Sequence, residues 1–171
     1  MKPGVWNRLD VLARKMTPVL LTFLLVIFNV VPLYIPGLAK IAPWLPLMAI
    51  YYWSIYQFEL MPAYAVFIIG LLHDILTGAP LGANTLIFLL VYGAVVSQHR
   101  FFAGKAFWVV WLGFSLVSGG ALLLDWALMS AWNLALIAPE PKVYQYFLTL
   151  GAFPGLAWLF MRWQRAFLRQ V

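Results

Sequence analysis

Asp74 and Asp125 are the residues best suited to chemistry, because each carboxylate interrupts an otherwise uncharged apolar run. An ionisable group inside a membrane span marks a functional site by default. His73, Asn29, Asn84 and Thr85 supply further polar groups in comparable runs. Two roles suit such a set. One is a cleft for a polar ligand or a proton. The other is hydrogen bonding between helices, which contributes about 0.6–2 kcal/mol per bond. His73 and Asp74 are adjacent, and neighbours on a helix point in different directions, so they form no ready-made dyad. His99 stands beside Arg100 and is expected to be solvated. The chain has no cysteine, which excludes disulfides, thiolate metal sites and cysteine nucleophiles. Two histidines leave little for a zinc site. The hydrolase, zinc-protease and phosphate-loop signatures are missing. No catalytic, cofactor-binding or metal-binding residue is therefore expected.

The elements that must position these residues are membrane helices. Of 171 residues 65% are hydrophobic and 9% charged, whereas soluble domains average about 45–50% and about 25%. A crossing helix needs about 20 apolar residues. Six mostly apolar runs qualify, near 17–35, 41–58, 60–76, 83–97, 106–131 and 143–163, within a single transmembrane domain covering 1–171. Pro43 and Pro46 open the second run, where a missing N–H matters least. The third and fourth are short, and residues 77–82 between them form a tight turn; one re-entrant element is the rival reading there. Gly151, Pro154 and Gly155 predict a kink in the sixth, and Gly151 with Gly155 also matches a helix-packing spacing. Gly37-Leu38-Ala39 resembles a signal-cleavage site, but the apolar run before it exceeds the usual length of about 7–15 residues. That first run is expected to be retained.

Positive charge supports the count. With six spans, Lys2, Arg8, Arg14, Lys15, Arg100, Lys105, Arg162, Arg165 and Arg169 share one face, against Lys40 and Lys142 on the other. Cytoplasmic loops collect Lys and Arg, so both termini are predicted to be cytoplasmic. Five spans would send the three C-terminal arginines outside and erase the bias. Residues 1–16 alternate apolar and charged positions at helical spacing, as in an interfacial helix. The basic ends suit either anionic lipid or a protein-docking patch. The net charge of +6 is thereby accounted for by loops, and nucleic-acid binding is not expected.

Depth separates the two aspartates. Counted from Glu59, Asp74 lies about 22 Å along its helix, still immersed; counted from 106, Asp125 comes about 28 Å up, at the external interface. Asp74 would sit at the partially negative C-terminal end of its helix, which disfavours a carboxylate by about 0.3–1 kcal/mol. The short turn folds the next helix back alongside. Its free N–H groups near 83–86, with Asn84 and Thr85, are predicted to donate to Asp74 and pin the hairpin. Asp74→Asn, keeping an acceptor, is expected largely to preserve the protein, and Asp74→Leu to harm it. Lys142, read as a loop lysine, should be replaceable.

Gly70-Leu71-Leu72-His73-Asp74-Ile75-Leu76-Thr77-Gly78-Ala79-Pro80-Leu81-Gly82 resembles the central signature of the MreD family: an apolar helix ending Gly-Leu-x-x-Asp, then a small-residue turn closing in Leu-Gly. Gly70, Leu71, Asp74, Gly78, Leu81 and Gly82 carry the match. His73 and the tryptophan-rich tail fall outside it. The resemblance implies a non-enzymatic, multi-pass protein of the bacterial inner (plasma) membrane that regulates lateral cell-wall synthesis and rod shape. It further implies partnership with MreC, and with MreB, RodA and a class B penicillin-binding transpeptidase in one complex. The family is similar in fold to the substrate-binding membrane subunits of energy-coupling-factor vitamin transporters, which supplies the alternative function. Those subunits usually offer Ala-x-x-x-Ala on helix 1, and 17–35 contains neither alanine nor glycine.

Overall fold

The computed structural model describes residues 5–31 and 41–167. Lys2, residues 32–35 of the first run, Gly37-Leu38-Ala39, Lys40 and Arg169 lie outside the described residues. Among those described, all regular structure is helical: α1 (Val5–Val30), α2 (Leu45–Tyr56), α3 (Ala63–Thr77), α4 (Ala83–Ser97), the short α5 (His99–Phe102), α6 (Phe107–Trp132) and α7 (Glu140–Phe167). One turn of 3₁₀ helix, Phe58–Leu60, joins α2 to α3. Two segments, Arg8–Val30 and Phe107–Trp132, are long and apolar enough to cross a membrane unaided.

Contacts fix the directions of the helices. Asn29, late in α1, reaches Pro43 before α2 and His73 late in α3. Asp74 meets the start of α4, and Asp125 late in α6 meets Lys142 early in α7. The C-terminal ends of α1, α3 and α6 thus gather with the N-terminal ends of α2, α4 and α7. Successive long helices alternate in direction.

α2 is the axis. It has no polar face, and ten of its residues, from Pro46 to Ile55, are buried against α1, α4 and α7. At 1.5 Å per residue its 12 residues span about 18 Å, short of a hydrocarbon core of roughly 30 Å. The run expected over 41–58 is therefore α-helical only from 45 to 56: residues 41–44 enter the bundle as non-helical chain, and Gln57 ends the α-helix before the 3₁₀ turn. Inside a membrane such chain is tolerated only where protein surrounds it. Tyr51 anchors the middle, its ring edge-on to Phe114 and Phe153 and its hydroxyl donating to the Val110 carbonyl at 2.8 Å.

Both interior prolines are absorbed without a break. The segment 1–16 and the first run form one helix where described, continuing through Pro18. α7 likewise continues through Pro154. Proline has no N–H for the carbonyl four residues earlier. At α7 that freed carbonyl, on Leu150, accepts from the Trp111 indole N–H at 3.2 Å. Outward, Leu20, Leu24 and Phe28 of α1 and Leu112, Leu116 and Leu123 of α6 are exposed. Apolar surface on that scale needs lipid or protein against it.

Candidate functional site

Asp74 is fully buried at the end of α3, and its carboxylate accepts five hydrogen bonds. Oδ1 accepts from the Asn84 backbone N–H at 3.0 Å and from Asn84 Nδ2 at 2.9 Å. Oδ2 accepts from the N–H of Gly82 at 2.9 Å, the N–H of Thr85 at 3.3 Å and the Thr85 hydroxyl at 2.8 Å. Three of the donors are backbone groups at the start of α4, which have no partner within that helix. The positive end of the α4 dipole faces the charge, offsetting the unfavourable end of α3. About four lone-pair sites are available on a carboxylate, and all are engaged.

The glycines of the motif make this geometry reachable. A Cβ on Gly70 would lie 2.5 Å from Thr85 Cα, so only glycine lets α4 approach α3 one turn below Asp74. Gly78 ends α3 in the left-handed region, φ 69°, and Gly82 starts α4 at φ 97°. Side chains rarely adopt either value. The Ala79 N–H returns to the Asp74 carbonyl at 3.1 Å, closing the helix end. Leu81 is 72% exposed at the tip and takes no part in the pin.

Each oxygen of Asp74 faces at least two donors, which revises the expectation for asparagine. An amide NH₂ can face Asn84, whose side chain can turn its own oxygen inward, yet the Asn84 backbone N–H is then orphaned. Asp74→Asn should thus be intermediate, not silent.

His73 turns away from Asp74. Its Nε2 lies 3.3 Å from Asn29 Oδ1, and its ring packs 5.5 Å from that of Phe88. Asn29 in turn donates to the Pro43 carbonyl at 2.6 Å. The non-helical residues before α2 gain two more supports from α7. Gln145 donates to the Ala42 carbonyl at 3.2 Å, and the Trp44 N–H donates to Thr149 Oγ1 at 3.1 Å. Gln145 and Thr149 escaped notice in the sequence. Their signal is a four-residue spacing of polar side chains in an apolar stretch.

Asp125 is apart from this cluster. It is 4% exposed on α6 and ion-paired with Lys142 of α7. The sequence reads Lys142 as a loop lysine and Asp125 as an interface residue; packing of α6 against α7 instead brings the two together. Removing the lysine strands a buried carboxylate, which costs up to about 3–5 kcal/mol for a fully buried pair. His99, expected to be solvated, is half-buried, with its ring 4.4 Å from that of Phe58.

Fold and site together define a protein that is all-helical among the described residues, with two apolar helices long enough to cross a membrane and buried polar groups that hold helices to one another. Residues 11–170 match the family described as rod shape-determining protein MreD, nearly the whole chain. The chain belongs to the MreD family, whose members are membrane proteins that determine rod shape. No curated protein and no solved structure matches it.

Proposed function

We propose that the chain is a non-enzymatic scaffold of bacterial cell elongation. In this reading it crosses the inner membrane six times with both termini in the cytoplasm. It binds MreC, and through that contact joins MreB, RodA and a class B penicillin-binding transpeptidase. The observation that carries the reading is the family match along nearly the whole chain. The saturated Asp74 carboxylate supports it, because a group with every lone pair engaged is poorly placed to take up a proton or a substrate.

Depletion of the protein, with recovery of its partners in mild detergent, tests the proposal. Rounded cells and co-purified MreC are the expected result. Nutrient-dependent growth loss in normally shaped cells, with an ATPase module recovered, would assign the transporter-subunit function instead.

A further inference from the structure

Between α6 and α7, at the end of the bundle that holds Asp74, lies a groove of about 500 Å³. That volume is typical of small-molecule sites, which are mostly apolar with a few placed polar groups. Gly119 forms its deep end, beneath the Tyr146 ring. The Tyr146 hydroxyl is held away by Ser115, at 2.8 Å from Oγ and 3.1 Å from the carbonyl oxygen. Leu123, Val143 and Phe147 are exposed along the lips, so the groove opens sideways, toward the surroundings of the helices. Lys142 supplies the sole charge among the lining residues.

The charge is asymmetric in what it shows to a visitor. The Asp125 side chain is 5% exposed and that of Lys142 32% exposed. A ligand in the groove therefore meets ammonium N–H groups, with the carboxylate behind them. An ammonium has three donors, and Asp125 occupies one. The polar end of the groove lies at the level of Trp126, near the end of α6, and the apolar end at Gly119, about 10 Å deeper along the helix. One charged acceptor at the interface, continued by a chain running inward, is the shape of a lipid.

We propose that this groove binds one anionic phospholipid of the surrounding bilayer, its phosphate on Lys142 and one acyl chain against Gly119. The site is independent of the scaffold reading and would stand if that reading fell.

Native mass spectrometry of the full-length protein, delipidated and then offered phosphatidylglycerol or phosphatidylethanolamine, tests the assignment. The wild type should retain one phosphatidylglycerol in preference to phosphatidylethanolamine. The double variant Asp125→Asn with Lys142→Gln keeps a neutral hydrogen-bonded pair and leaves no stranded charge. It should lose that preference, about tenfold in retention, the worth of one charge-assisted hydrogen bond. Gly119→Leu leaves the ion pair intact and fills the deep end, and should lower retention of both lipids while the melting temperature holds. Equal retention of the two lipids by the wild type would overturn the proposal. So would unchanged retention in both variants, or displacement of phosphatidylglycerol by an equimolar polyprenyl phosphate.

Discussion

Asp74 is the residue at which removing an acceptor should be felt most. Replacement by leucine orphans three backbone N–H groups and two side-chain donors. Each orphan costs about 1–3 kcal/mol, so Asp74→Leu should prevent accumulation of the protein. Asp74→Asn orphans one N–H and should lower stability by about 1–3 kcal/mol. Thermal melting in detergent orders the variants as wild type, Asn, Leu. An Asn variant that melts like the wild type yet fails to support rod shape would show that the carboxylate works as a proton site. These donors were legible in the sequence because they lie 8 to 11 residues from Asp74, across one short turn. The Asp125–Lys142 pair was not, since each charge has an innocent explanation at the interface and only packing aligns them.

At the scale of elements, the α3–α4 hairpin depends on one close approach. Gly70→Ala places a Cβ 2.5 Å from backbone, so α4 must shift off the Asp74 carboxylate. The expected loss is about 1–3 kcal/mol. Gly93→Ala, within α4 with nothing near its Cβ, is the comparison, and should be neutral or gain up to about 1 kcal/mol from helix propensity. Equal melting temperatures for the two variants would refute the role given to Gly70. The bounds of α4 were readable from its turn, Gly82 on one side and polar Gln98 on the other. The start of α2 was not. Apolar residues 41–44 run straight into it, and hydropathy does not distinguish a buried helix from buried extended chain.

For the whole molecule, the proposed six crossings would place the 77–82 turn and the 133–139 loop outside, and Lys105 and Arg165 inside. The absence of native cysteine allows single-cysteine mapping. In spheroplasts, cysteines at Leu81 and Leu136, both well exposed, should react with an impermeant thiol reagent. Cysteines at Lys105 and Arg165 should not, and labelling at Arg165 would break the even count. The support of residues 41–44 by Gln145 and Thr149 has a further consequence, for biosynthesis. The Trp44 N–H and its partner are 105 residues apart. At about 5–20 residues per second, a ribosome makes that partner roughly 5–20 s later. The second helix to leave the ribosome must therefore be among the last to settle. A chain truncated after Ile137 should leave residues 41–44 open to protease in membranes where the complete chain is protected.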